Sequence, residues 1–268
     1  MDAVSLIGLG LVSGAGAGLL AGLVGIGGGI VIVPVVYYGL LAGGFSADQA
    51  AHIAVATSLA AILPAAVASS IGHWRAGNTD FTFVREWGPG IAVGVVAAQL
   101  AAPHLRGSLM TGLFALFTLI AAVRFAAPGR FRPLMAEPPN GGFRHFAGLT
   151  IGLVSGLAGV GGGILTNMVM ALTGLPMHKS IGRAAAVGVV VSLPATVIAA
   201  FASAPEHAGN LGSINLSMWA CIAPAQAVAA WFGAQLAQRI GADSPSRVFA
   251  GALAVTGMVM LHSSFGWP

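Results

Sequence analysis

The sequence predicts an all-α polytopic membrane protein made of two inverted-topology repeats, each a glycine-broken helical hairpin followed by three transmembrane helices. Three observations predict it. Hydrophobic residues make up 57% of the chain and charged residues 7%, against roughly 25% charged in soluble domains. Residues 22–30, Gly-Leu-Val-Gly-Ile-Gly-Gly-Gly-Ile, return at 156–164 as Gly-Leu-Ala-Gly-Val-Gly-Gly-Gly-Ile, with seven of nine positions identical at an offset of 134. The third is the placement of the basic residues.

The apolar runs 53–71, 88–102, 109–123, 184–201 and 216–236 approach or reach the ~20 residues that cross ~30 Å of hydrocarbon. Repeat one occupies 6–125 and repeat two 146–265. Between them lies 126–145, a linker rich in Pro, Gly and Arg that stays outside the bilayer. Each repeat holds a glycine-interrupted segment (6–41 and 146–172) and three apolar runs, at 50–71, 87–102 and 109–123, then at 181–201, 214–236 and 248–261.

If an interrupted segment crossed the bilayer once, Arg75, Arg85, Arg124, Arg130, Arg132 and Arg144 would face Arg106, Lys179, Arg183, Arg239 and Arg247 across it, without bias. If it enters and returns, every basic residue except Arg106 falls on one side. The positive-inside rule selects the hairpin, with both termini outside and the linker cytoplasmic. A hairpin plus three crossings ends opposite to where it began, so the second repeat is inverted. In repeat two the arms 146–157 and 164–172 span only about 18 and 14 Å as helix, enough to reach mid-bilayer.

The net charge of +4 reads as a topology signal in loops, not as a nucleic-acid surface. Cys221 is the single cysteine and lies in an apolar run, so no intrachain disulfide forms. Asp2 and the lack of a basic leader argue against a cleaved signal peptide.

The glycine clusters are the candidate site. Gly27, Gly28 and Gly29, with Gly161, Gly162 and Gly163, precede apolar helices. A helix start offers unpaired N–H groups and the positive end of the dipole, which bind an anion without a buried cation. The alternative is that the glycines serve close packing, the role assigned to Gly14 and Gly18.

At these residues the chain resembles the TauE/SafE family of sulfite and organosulfonate exporters. The resemblance is carried by the paired glycine clusters, by Ala54-Val-Ala-Thr-Ser-Leu59, and by His73 ahead of Gly77-Asn-Thr-Asp80. It covers essentially the whole chain. Ala56 stands where the family usually has glycine, and repeat two has no Thr-Ser pair at Ala185-Ala-Val-Gly188. The resemblance implies export of a small sulfur-containing oxyanion, sulfite or an organosulfonate such as sulfoacetate, across a bacterial-type inner membrane. An anion channel or an uptake permease for a related organic anion is the alternative.

Further polar candidates lie in the apolar runs. Thr57 and Ser58 either donate to an oxyanion or bond their own i−4 carbonyls. Asn167, one turn after Gly163, contacts substrate or joins helices. Gln99, Gln226 and Gln235 line a cavity or join helices. Arg183 anchors at the interface or, with Lys179 and His178, draws anions to the cytoplasmic mouth. Asp48 and His52 form a surface pair or a proton relay. Trp74 and Trp87 read as interfacial anchors.

No carboxylate lies deep in an apolar run, so the buried acids of many proton- and sodium-coupled carriers are missing. Alternating-access export driven by the inside-negative potential needs no coupling ion. No Walker motif occurs, and the glycine before Ser155 is misplaced for an intramembrane serine protease; the sequence thus predicts no enzyme, no cofactor, no metal and no nucleic-acid partner. The expected partners are the oxyanion, the lipid bilayer and, optionally, a second copy in a homodimer.

Overall fold

The computed structural model describes residues 3–126, 140–173, 175, 177–202, 209–239 and 243–264. Ten α-helices account for almost all of these residues: α1 (Ala3–Val24), α2 (Gly29–Ala42), α3 (Ala47–Arg75), α4 (Phe81–Ala101), α5 (Gly107–Ala126), α6 (Gly141–Ala158), α7 (Gly163–Ala171), α8 (Met177–Phe201), α9 (Leu216–Leu236) and α10 (Asp243–Ser264). A two-stranded ribbon, β1 (Asn210–Leu211) and β2 (Ile214–Asn215), precedes α9. Among the described residues, five helices are long and apolar enough to cross a membrane. Their outward side chains, among them Val123, Phe201 and Phe232, form the exposed apolar belt that lipid covers.

Three helix starts among the described residues carry polar caps. Ser46 and Gln49 form a capping box at α3, Asp80 accepts from the amides of Thr82 and Phe83 at α4, and Asn215 accepts from Met218 at α9. Each satisfies donors that the helix leaves open.

Contacts along the helices fix their directions. On α1, Gly10 meets Cys221 and Gly22 meets Ala230 of α9, so these two run together; a Cβ on Gly18 would overlap the Gln226 carbonyl oxygen. That proximity bears out the packing role of Gly14 and Gly18. α3 also runs with α9, since Thr57 meets Asn215 and Gly72 meets Ala234. α6 and α8 both run with α4, through Gly90–His145 and Gly156–Ala98 in one case and Asp80–Arg183 and Gly88–Val190 in the other. α3 opposes α8, with Ala66 against Gly188 and Ala56 and Ala60 grouped with Ala199. Hence α1, α3 and α9 point one way and α4, α6 and α8 the other. α2 opposes α3 and α7 opposes α8, with Gly29 on Ser58 and Gly162 on Val191. At each glycine break the chain therefore turns back on itself.

Two expectations change. The helix of α6 starts at Gly141, so the last residues assigned to the 126–145 linker are helical; residues 127–139 of that linker lie outside the described residues. The ion pair Arg144–Glu86, at 2.6 Å, and the close approach of Gly90 to the His145 carbonyl fasten this extra turn to α4. The arm is thus 18 residues, about 27 Å as helix, and longer than mid-depth, while α7 with 9 residues remains a half-helix. Trp87 is no interfacial anchor: it is 1% exposed and stacks on Phe83 at 5.1 Å in the core of α4. Trp74 is exposed at the end of α3, as an anchor would be.

Candidate functional site: two glycine corners

Why the chain turns where it does follows from the backbone. Gly25, Gly27 and Gly28 have φ of 71°, 84° and 75°, and Gly159 and Gly162 both have 72°. A Cβ strains these conformations, so glycine is required. Gly28 and Gly162 are the N-caps of α2 and α7, and neither helix start receives a side-chain cap. Both glycines are buried, so water does not serve the open amides as it can at exposed Asn140 before α6.

The two corners touch. A Cβ on Gly27 would stand 3.2 Å from Gly161 Cα, one on Gly29 2.5 Å from the Gly159 carbonyl oxygen, and one on Gly163 would overlap the Gly25 carbonyl oxygen. Beside this contact runs a crevice lined by Ala21, Gly25, Gly27, Ser69, Ala184 and Gly188, too narrow to hold a water molecule.

Side chains from neighbouring helices tie off the carbonyl ends of the broken helices. Asn167 Nδ2 donates to the Val24 carbonyl at 2.8 Å, and His73 Nε2 lies 2.9 Å from that of Gly22, which as a pure acceptor requires the ring nitrogen to donate. Gln226 Nε2 donates to Gly27 O at 2.9 Å, Gln99 Nε2 to Gly156 O at 3.1 Å and Ser58 Oγ to Gly159 O at 2.9 Å. The negative ends of α1 and α6 are therefore neutralised while the positive ends of α2 and α7 stay uncapped. Both helix starts are thus buried without a side-chain cap, where oriented N–H dipoles act through a low dielectric.

The structure gathers most of the sequence candidates here and assigns them partners. Gly27, Gly29, Gly161 and Gly163 form the contact itself with Gly25 and Gly159, whereas Gly28 faces Ala17 and Gln226 and Gly162 faces Val187, Val191 and Ser155. Ser58 serves the opposite corner's carbonyl and not its own helix. Thr57 accepts from the Asn215 amide and so holds the start of α9. Asn167 bridges Val24 to Ser180, whose hydroxyl donates to its Oδ1 at 2.8 Å.

Arg183 stands apart from the corners, at the rim. It pairs with Asp80 at 2.7 Å, lies 4.8 Å above the Phe83 ring and points a second nitrogen at Met170 Sδ. Burial pushes the Asp80 carboxyl up, but the Arg183 hydrogen bond, the Phe83 and Thr82 amides and the Arg183 charge outweigh it and hold it below the usual range. On the far face, Asp48 accepts from the Gly107 amide at 2.6 Å and His52 Nε2 reaches the Ala102 carbonyl at 3.0 Å, so this pair fastens α3 to the α4–α5 turn.

His73 and Asp80 were visible in sequence only as part of the family pattern, and the placement of Gln226 and Ser155 at the corners was not visible. Ser69 Oγ, Ser155 Oγ and Gln226 Oε1 are buried without a hydrogen-bond partner among the described residues. The signal in each case is a lone polar residue on a small-residue helix face, which packing glycines share.

The profile of the family described as Sulfite exporter TauE/SafE matches residues 10–260. A probable membrane transporter protein of Haemophilus influenzae is 29% identical over 183 residues, covering 68% of this chain and 69% of its own length. Similar proteins of the same description occur in Methanocaldococcus jannaschii, 21% identical with 91% of each chain covered, and in Bacillus subtilis, 25% identical with 90% of this chain and 89% of the relative covered. No solved structure matches the chain.

Proposed function

Because the chain belongs to the sulfite exporter TauE/SafE family of membrane transporters, we propose that it exports a small sulfur oxyanion, sulfite or an organosulfonate, by alternating access, and that the paired glycine corners bind it. The observation that carries this reading is the contact between the two buried glycine corners, whose helix starts at Gly28 and Gly162 carry no side-chain cap. Their amides complement an oxyanion and disfavour a cation.

Residues 6–125 and 146–265 act in this reading as inverted repeats that rock about the corners. The reciprocal pairing of α1 with α9 and of α6 with α4 supports it, as does the opposite direction of α1 and α6. Arg183, Asp80 and the α3–α4 turn close the cytoplasmic side, while Asp48, His52 and the α4–α5 turn close the outer one. Both termini lie outside a bacterial-type inner membrane.

Energetics favour export without a coupling ion. Among the described residues the acids that make ion pairs, Asp48, Asp80 and Glu86, sit at helix ends or in turns, away from the corners. An inside-negative potential drives an anion outward with about 2.3 kcal/mol per charge per 100 mV. In proteoliposomes loaded with radiolabelled sulfite, efflux should accelerate with an imposed potential and ignore a pH gradient at zero potential. Flux that follows the pH gradient and ignores voltage would refute the uncoupled mechanism, and unitary currents would make the protein a channel.

A further inference from the structure

Two of the unpartnered buried atoms lie against the uncapped helix starts, and they differ in kind. Gln226 is fully enclosed, and its Nε2 stands 2.7 Å from the place a Cβ on Gly28 would take. That nitrogen donates to the Gly27 carbonyl. A carbonyl only accepts, so the carboxamide cannot be turned over, and the atom left without a partner is the acceptor Oε1. Ser155 is 1% exposed, and its unpartnered Oγ lies 3.6 Å from the place a Cβ on Gly162 would take. The start of α2 thus has an orphan acceptor beside it, and the start of α7 an orphan hydroxyl.

A buried unpaired polar atom is costly, and a ligand that pairs it recovers that cost. A sulfonate group, or a fully deprotonated dianion, carries acceptors alone. It satisfies the helix amides and the Ser155 hydroxyl, but it faces Gln226 Oε1 acceptor to acceptor. An anion with its own O–H or N–H also offers Gln226 Oε1 a donor.

We propose that Gln226 Oε1 and Ser155 Oγ complete the binding site, and that the site selects a sulfur oxyanion head group accompanied by a proton donor, as in hydrogensulfite, a hydroxyalkyl sulfonate or a zwitterionic aminoalkyl sulfonate, over a sulfur oxyanion without one. This rests on the oxyanion reading above and deepens it. Gln226 reads the donor; Ser155 holds the anionic head.

The test is titration calorimetry on the purified full-length protein in detergent with 2-hydroxyethanesulfonate, 2-aminoethanesulfonate and ethanesulfonate, repeated on Gln226→Met and Ser155→Ala. The first two ligands should bind at least about tenfold tighter than ethanesulfonate, the equivalent of one added buried hydrogen bond. Gln226→Met should erase that ratio, whereas Ser155→Ala should weaken all three ligands alike. Equal binding of ethanesulfonate to the unaltered protein overturns the proposal while leaving the oxyanion site standing, and so does a ratio that survives Gln226→Met. If Gln226→Met does not fold, the ratio on the unaltered protein decides. Binding of none of the three, nor of sulfite across a pH series, overturns the oxyanion reading itself.

Discussion

At the scale of single residues, the glycines divide into those the fold cannot replace and those it can. Gly163 has helical φ, so its constraint is contact and not conformation. A Cβ there would overlap the Gly25 carbonyl oxygen, an atom of the backbone that cannot swing aside. Gly163→Ala must force the corners apart, and overpacking of this kind costs about 1–3 kcal/mol or more. Gly142 has nothing within 4 Å of its Cβ position and sits in the exposed first turn of α6. There alanine only gains helix propensity, up to about 1 kcal/mol. Thermal unfolding in detergent should show Gly163→Ala lower by more than about 5 °C and Gly142→Ala unchanged or higher; a Gly163→Ala protein as stable as its parent would refute the corner contact. The sequence made these clusters conspicuous by repeating them. It did not show what the side chains around them do, because a hydrogen bond such as Gln226 to Gly27 joins positions 199 residues apart. Thr57 and Ser58 were read as donors to an oxyanion or to their own i−4 carbonyls, and tertiary contacts with Asn215 and Gly159 supplied a third reading.

At the scale of elements, caps and latches decide where helices begin and what holds their ends. The hairpin character of both broken segments was legible from the basic residues alone, because the positive-inside rule acts on each loop separately. The start of α6 was not legible: Gly141 and Gly142 read as linker, and only the Arg144–Glu86 pair and the contact with Gly90 extend the helix over them. Trp87 was misread for a related reason, since an aromatic near a helix start is an interface anchor only if neighbouring helices leave it uncovered. The latch between α4 and α8 makes a specific prediction. Asp80 has a lowered pKa in the fold, so the stability it contributes is complete above its unfolded value of about 4 and is lost as pH falls through the folded value. Asp80→Asn keeps an N-cap side chain but removes the charge that Arg183 meets. The variant should unfold at a lower temperature than its parent at neutral pH, and the two curves should converge as the pH drops below about 4. A constant difference across the whole pH series would show that Arg183 gains nothing from the Asp80 charge.

At the scale of the whole molecule, the pairing of α1 with α9 and of α4 with α6 brings two short peptide turns into contact. Each corner alone is a helix start in an apolar setting; in contact, the start of each broken helix packs against the end of the other, with Gly29 on Gly159 and Gly163 on Gly25. That arrangement needs α1 and α3 to run together, and their direction in turn fixes which loops share a side of the membrane. Ala47, at the start of α3, and Ala76, just past its end, are both exposed, and a helix of 29 residues separates them by about 43 Å. With Cys221 first replaced by alanine, Ala47→Cys in intact cells should react with a membrane-impermeant thiol reagent, and Ala76→Cys should react only after the membrane is permeabilised. The opposite pattern would turn the whole molecule over, placing its basic loops and the Arg183–Asp80 pair outside. Labelling of both positions from outside would mean that α3 does not cross the bilayer, and a site built from converging helix starts at membrane depth would then have no bilayer around it.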